Sequence, residues 1–390
     1  MSKFDLYNKN VTLIIKFAVL GGAERQALGM ADYLIKNYNC KVSFITTQSN
    51  IQTEEFKKFA QNCGVNEILF FGIPHLSSSS KWSLSAFKKN IRTRKYLSKM
   101  KVEVSKLKPH IIIPFLNSPS KIAALIYKET GAKITFWHHL GLDSYINDNL
   151  EKKAIQKTPF IIANGPDGLS VFRNQFKIKE EKLYYLPQYV SIKKIDYDNL
   201  ETKKEFQIAE KTLVIGMIAH YRPEKYFGLL IEAFSKIANL YDIHLVLLGN
   251  KDNNSETLAI FENLNSQVGT YHLEKKVSLL SGFPVEKILS LIDIGVLVSE
   301  IEGTPNVILE YMLYGKPIIA SNHEGCKKLM GESEFLIPND VNILVEKLKV
   351  LIESEQIRNI EAIKNEENLK TFKIESYFES LTEILNENLS

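Results

Sequence analysis

Cysteine is scarce in this chain. Cys40, Cys63 and Cys326 are the only three in 390 residues, an odd number with no C-x-x-C among them. That pattern excludes a disulfide framework and the usual zinc-ligand spacings, and it leads us to expect reduced thiols in a cytoplasmic protein. Long apolar runs are missing as well. No window of about 18 uninterrupted apolar residues occurs, so no membrane-spanning helix is expected. The opening M-S-K-F-D-L-Y-N-K-N has no apolar core of the kind a signal peptide carries. The dinucleotide fingerprint G-x-G-x-x-G is absent. No third ligand stands at metal spacing from the adjacent His138 and His139, and nothing matches a nucleic-acid reading module. Neither metal, cofactor nor nucleic acid is therefore expected.

What the chain does contain is an ordinary globular mixture, 45% hydrophobic and 24% charged, at a length that one hydrophobic core seldom organises. Two domains of about 150–200 residues follow as the expectation. The modest net charge of +4 hides an asymmetry: residues 1–190 hold 28 Lys and Arg against 14 Asp and Glu, leaving 21 against 31 in residues 191–390. A basic half joined to an acidic half points to an anionic ligand or surface facing only one of them. Much of the basic excess comes from Lys81–Lys108, where ten Lys or Arg stand against one acid, Glu103, with Trp82, Leu84, Phe87, Ile91, Tyr96 and Leu97 interleaved. An amphipathic basic helix of this kind either offers its cations to anionic lipid headgroups or presents a solvated lysine face.

Along the chain, short apolar runs alternate with helical periodicity. Val11–Phe17, Val42–Thr46, Ile68–Phe71, Ile111–Phe115, Ile134–Trp137, Pro159–Asn164 and Leu183–Leu186 read as strands of the first half, with a long helix at about Leu84–Leu107. Pro187 to about Lys204 reads as a linker. A second set follows with strands Leu213–Ile218, His244–Leu248 and Val277–Leu280, helix Val285–Leu291, and strand Ile294–Val298. This alternation predicts an α/β protein with two doubly wound parallel sheets, residues 1–190 and 205–373, whose strand ends face a cleft. A helix at 375–389 is expected to pack back on the first domain.

Ligands of such sheets collect where strands end. Gly21-Gly22, with Glu24 in the first helical turn, is either a tight turn or a close backbone approach to a ligand. His138 and His139 are either hydrogen-bonded to nearby backbone or handle polar contacts and protons. Gly249 ends a strand of the second half. Arg222-Pro223-Glu224-Lys225 is either a charged turn or the cations a diphosphate needs, a guanidinium fork and an ammonium point charge. Ser299–Pro317, S-E-I-E-G-T-P-N-V-I-L-E-Y-M-L-Y-G-K-P, reads as strand, glycine loop and helix, with Pro305 at the first helical position and Gly315 just past the end. Its helix start favours an anion. Its carboxylates are either ordinary surface groups on an ordinary α/β turn or partners for hydroxyls, a ribose diol for Glu310 and a sugar for Glu302.

In order and spacing these motifs resemble the retaining glycosyltransferases of the GT-B fold, the large family-4 group that includes transferases of bacterial surface polysaccharides and glycolipids. Gly21-Gly22-Ala23-Glu24-Arg25 resembles that family's G-G-x-E turn, Arg222–Lys225 its phosphate-binding segment, and Glu302–Glu310 its E-x7-E element, followed by Gly315-Lys316-Pro317. The resemblance implies a nucleotide-sugar donor whose ribose is held by Glu310 and whose transferred sugar is held by Glu302. The backbone of Gly303, Thr304, Pro305, Asn306 and Val307 would line the sugar and phosphates, and Arg222 and Lys225 would stabilise the leaving diphosphate. Gly21 and Gly22 would approach that diphosphate from the other domain. His138 would meet donor sugar or acceptor, with His139 and Glu24 on the acceptor side, and the acceptor would be a glycan or a lipid-linked molecule. Three departures stand out: His220 where the family has Arg or Asn, Tyr226 where it has Gly, and Pro187-Gln188-Tyr189-Val190-Ser191 in place of P-N-G-V-D. An epimerase or phosphorylase of the same architecture, or a weakly active glycan-binding partner subunit, are the rival readings.

Overall fold

The computed structural model describes residues 5–65, 67–72, 76, 78, 83–140, 149–250 and 255–389. Lys81 and Trp82 of the basic stretch, and Gly141, Leu142 and Asp143 after the two histidines, lie outside these residues. The chain forms two compact units, one comprising residues up to Ser191 together with those from Lys373 onward, the other Ile192–Phe372.

In the first unit, β1 (Asn10–Ile15), β2 (Lys41–Thr46), β3 (Glu67–Phe70), β4 (Ile111–Pro114) and β5 (Ile134–Thr135) form a parallel sheet in the order β3-β2-β1-β4-β5. Five of the six β1 residues are buried, because helices cover both faces. That coverage is why the strand reads as an unbroken apolar run and does not alternate. Ile134–Trp137 was expected as one strand, and here the structure differs. The chain leaves the first sheet at Phe136 and starts β6 (Trp137–His139), which pairs in parallel with β7 (Ile161–Ala163), itself paired with β8 (Leu183–Tyr185). Phe136 turns the corner by stacking on Phe160, and the Trp137 N–H donates to the Phe160 carbonyl at 3.0 Å.

The carboxyl-terminal helix Ile374–Leu389 belongs to this first unit. Its buried stripe, Tyr377, Phe378, Leu381, Ile384 and Leu385, recurs at helical spacing and joins the core beneath β1 and the helix Gly22–Tyr38. Phe378 stacks on Tyr33, and Tyr377 meets Tyr189 edge-on. Cys40, Cys63 and Cys326 are all buried, and none of them is in a disulfide.

The second unit carries β9 (Leu213–Ile218), β10 (Ile243–Leu248), β11 (Val277–Leu280), β12 (Ile294–Leu297), β13 (Ile318–Ser321) and β14 (Leu336–Ile337) in the parallel order β11-β10-β9-β12-β13-β14. It takes in the expected linker from Ile192 onward. Within that stretch Asp198 caps a short helix, Asn199–Glu205, by accepting the Glu201 N–H, and Asn199 donates to the Ser290 carbonyl.

The pairing between β9 and β12 is brief, Ile294 with Ile215 and Gly295 with Gly216. Beyond it the strands are bridged by Tyr311 of the helix Asn306–Leu313. Its buried hydroxyl accepts the Ile218 N–H at 3.1 Å and lies 3.0 Å from the Gly216 carbonyl, both on β9, and 3.4 Å from the Val296 carbonyl of β12. A glycine at 295 makes room, since a Cβ there would come within 2.7 Å of the Tyr311 ring. Replacing Tyr311 by Phe strands the Ile218 N–H in the core, so we expect a loss of about 1–3 kcal/mol, read as a lower urea midpoint for the second unit with its sheet content retained.

Candidate active site

Two loops of the second unit leave neighbouring strand ends where the strand order reverses, the position at which open α/β sheets bind ligands. The first runs from β9 to the helix Phe227–Ser235, the second from β12 to Asn306–Leu313. They are laced together by an antiparallel bridge of Lys225 with Ser299, by the Tyr226 N–H on the Val298 carbonyl at 3.0 Å, and by the Glu300 N–H on the Glu224 carbonyl at 2.9 Å. This lacing aims two side chains at each other. Lys225 Nζ donates to Glu302 Oε1 in an ion pair whose side chains are only 15% and 14% exposed. Arg222 stands further out, 57% exposed and 3.8 Å from Glu224. An open cavity of about 580 Å³ beside the pair is lined by Arg222, Lys225, Tyr226, Gly228, Asn263 and Asn339 among others.

The remaining residues of the Ser299–Pro317 stretch take distinct places. Pro305 is the N-cap of its helix, one position earlier than expected, and Gly315 takes φ +61° just past the end, as the helix stop requires. Gly303, Asn306 and Val307 are partly exposed, while Thr304 and Pro305 are buried. Glu310 lies deep, 1% exposed, beside Tyr311. Burial foremost, with that carboxylate adding repulsion, pushes the Tyr311 phenol well above its ordinary range. Gly249 answers a packing need: a Cβ there would lie 2.6 Å from the Ala219 carbonyl and 2.7 Å from the Tyr221 ring, so this glycine lets β10 close against the β9 loop.

Four residues that sequence reasoning passed over hold the second loop from beneath. Ser321 Oγ accepts the Ser299 N–H at 2.9 Å and donates to Asn339 Oδ1 at 2.6 Å, while Asn339 Nδ2 donates to the Ser299 carbonyl at 2.9 Å. His323 caps the helix Glu324–Met330 and places Nε2 3.3 Å from Ser299 Oγ. Burial lowers its pKa, with Glu302 pulling it up and Lys225 pushing it down. Gly325 carries the closest approach: a Cβ would strike the Gly303 carbonyl and lie 2.7 Å from the Glu302 carbonyl. The available signal was that Ser321–Gly325 repeats the strand end, turn and helix pattern of Ser299–Pro317.

In the first unit the candidates are distributed differently. Gly21 is the N-cap of the helix beginning at Gly22, and Glu24 folds back over it, its Oε2 2.5 Å from where a Gly21 Cβ would be. His138 is fully buried between Phe115 and Phe136. Its Nδ1 donates to the Pro114 carbonyl at 3.0 Å, which leaves Nε2 to accept from Gln188 Nε2 at 3.4 Å. His139, 2% exposed, lies 3.2 Å from Asn117 Oδ1, an oxygen that also accepts from Trp137 Nε1. Burial pulls these imidazoles down from 6.5 to about 3 and about 4. Both are neutral hydrogen-bonding groups of the first unit's interior. Among the described residues no three His, Cys, Asp or Glu side chains cluster as a metal site.

Residues 198–368 match the family of glycosyl transferases group 1. The architecture is that of the GT-B glycosyltransferases, α/β with two Rossmann-like units. Among curated proteins, N-acetyl-alpha-D-glucosaminyl L-malate synthase of Bacillus anthracis is 27% identical over 192 residues, 47% of this chain, and the match spans about half, 49%, of that relative's length. Among solved structures, Anabaena Alr3699/HepE in complex with UDP and glucose superposes with a TM-score of 0.77 at 16% identity, covering 97% of this chain and 99% of that one. A glycosyltransferase from Rickettsia africae ESF-5 gives 0.74 at 18% identity over 98% and 100% of the two chains. Sucrose-phosphate synthase from Thermosynechococcus elongatus gives 0.71 at 16% over 97% and 99%. These last three are likenesses of fold.

Two expectations follow. Gly325→Ala has to displace the Glu302–Gly303 backbone, so the second unit should lose about 1–3 kcal/mol of stability, read as a lower melting midpoint in a circular-dichroism thermal scan with secondary structure retained. For the first unit, His138 is neutral when folded and protonates near 6.5 when unfolded. Below pH 6.5 the unfolded chain therefore binds the extra proton, and stability falls as the pH drops toward about 3. The slope is at most about 1.4 kcal/mol per pH unit from this group, and His138→Gln should flatten the pH dependence of the urea midpoint measured by tryptophan fluorescence.

Proposed function

We propose that the protein transfers a sugar from a nucleotide-diphosphate-sugar to an acceptor hydroxyl with retention of anomeric configuration. The observation that carries this reading is the Lys225–Glu302 pair at the strand-order reversal, within a segment that matches glycosyl transferases group 1. Without donor, each member of the pair satisfies the other. With donor, the diphosphate supplies Lys225 with a stronger partner, and Glu302 turns its carboxylate to the hydroxyls of the sugar. Arg222, exposed and loosely held, folds onto the same phosphates. Glu310 takes the ribose hydroxyls from the floor of the site.

In the reaction the bond from the anomeric carbon to the diphosphate oxygen breaks. The acceptor oxygen forms its bond on the same face, and the acceptor proton passes to the departing phosphate. Negative charge grows on that phosphate as the bond opens, so Lys225 and Arg222 contribute most in the transition state. His138 and His139, buried and neutral, shape the first unit's strand ends as positioning residues. The neighbours solved with UDP, UDP-glucose and glucose make UDP-sugars the first donors to try. The basic helix of the first unit favours a lipid-linked or anionic acceptor and a peripheral place at a membrane. Among the described residues no helix is long and apolar enough to cross one.

A panel of labelled nucleotide-sugars tests the proposal. Release of nucleotide diphosphate that depends on acceptor supports it, whereas interconversion of the sugar without acceptor means an epimerase, and absence of donor binding by calorimetry means a partner subunit. With the working donor, Glu302→Ala and Lys225→Ala should each lower turnover by roughly 10²–10³-fold. Near-normal rates in both variants would sink the assignment.

A further inference from the structure

The helix Leu84–Lys106 of the first unit carries a feature that donor chemistry does not use. Lys88, Arg92, Lys95 and Lys99 follow one another at spacings of four, three and four residues, so they form a single stripe rising about 16 Å along the helix. The stripe borders an open groove of about 600 Å³ whose other walls are Phe70, Phe71, Ile91 and Tyr96, with Asn50 and Gly72. Phe71 and Tyr96 meet edge-on at its floor, and the Tyr96 hydroxyl is turned inward to the Phe71 carbonyl at 3.0 Å. Apart from Asn50, whose Oδ1 accepts the Gly72 N–H, the lining is apolar below and cationic at the rim.

The charges on this stripe are not spent within the described residues. Off the stripe, Lys101 pairs with Glu129 and Lys106 with Glu103. Among the described residues no carboxylate pairs with Lys88, Arg92, Lys95 or Lys99. Beside the cations runs a second stripe that a solvated lysine face would not carry. Leu84, Phe87 and Val102 are 81%, 62% and 58% exposed, with Ile91 between them on the same side of the helix. A soluble polyanion would leave those apolar side chains in water. A bilayer takes up both stripes, the cations among the phosphates and the apolar side chains in the boundary beneath them.

We propose that this face docks the protein on an anionic lipid bilayer, with one lipid phosphate seated in the groove among Lys88, Arg92, Lys95 and Lys99 while Leu84, Phe87 and Ile91 enter the headgroup layer. The assignment rests on the peripheral-membrane reading above and names the surface that would perform it. Attraction should be salt-sensitive, since exposed cations are screened over about 10 Å at ordinary ionic strength. The apolar stripe should retain a salt-resistant part.

Flotation of the full chain with vesicles of phosphatidylcholine, with and without phosphatidylglycerol, tests this. Lys88→Gln/Arg92→Gln/Lys95→Gln/Lys99→Gln should lower partitioning onto the anionic vesicles at least about tenfold. Lys89→Gln/Lys128→Gln/Lys133→Gln/Lys153→Gln, which removes the same charge elsewhere on the unit, should lower it less than about threefold. Leu84→Ser/Phe87→Ser should abolish the part that survives high salt. Circular-dichroism melting confirms that each variant folds. Equal loss in both charge variants overturns the groove while leaving membrane association standing. A wild-type protein that fails to float at low salt overturns the membrane reading itself, and competition by a soluble polyphosphate with no effect of Leu84→Ser/Phe87→Ser assigns the groove to a soluble anion instead.

Discussion

The second unit depends on two strands that part company after two residue pairs. β9 and β12 are held by the pairing of Ile215 with Ile294 and Gly216 with Gly295, and past that point the gap has to be spanned by something other than strand. Tyr311 spans it with one hydroxyl, which meets Gly216 and Ile218 on β9 and Val296 on β12. The solution is demanding, because it needs a glycine at 295 to admit the ring and a helix immediately after the second loop to deliver it. In return the two loops emerge side by side with room between the helices they begin.

Holding an ammonium and a carboxylate at about 15% exposure is costly, because both lose hydration. The structure meets that cost by rigid backing. Ser321, Asn339 and His323 act on the backbone and hydroxyl of Ser299, and Gly325 lets the next helix press against the Glu302 and Gly303 carbonyls. Preorganisation of this kind is what an electrostatic site requires, since a charged group that must be ordered during the reaction contributes less to it. The arrangement is also asymmetric. The pair is braced from below, while Arg222 is left loosely tethered at the rim.

Much of this fold was legible in the sequence, because strands buried on both faces appear as compact apolar runs and the loops after them are marked by glycine and charge. The Lys225–Glu302 neighbourhood could be anticipated because both residues follow strands of one sheet. What stayed hidden has physical reasons. The apolar run through Ile134–Trp137 has no break at Phe136, since the corner is made by ring stacking and both sides of it are buried. Ser321, His323 and Asn339 are separated in sequence from the loop they support and are gathered by strand order alone. The depth of Glu310 and His138 depends on packing that a pattern of residue types does not encode. The helix Asn199–Glu205 looked like linker because only one turn or two of it is present, with its hold on the unit made by single hydrogen bonds.

The buried cysteines lead somewhere practical. Cys40 donates its thiol to the Leu6 carbonyl and Cys326 lies against His323, and burial raises both thiols above their ordinary range. Cys63 is likewise only 6% exposed. Thiolate is the reacting species, so the folded chain presents a background nearly silent to maleimide and iodoacetamide reagents. A cysteine introduced at Phe87 or Leu84 would then carry a fluorophore or spin label at a single known address. The wild-type chain becomes its own blank, and any slow labelling of it becomes a clock for local opening of the core.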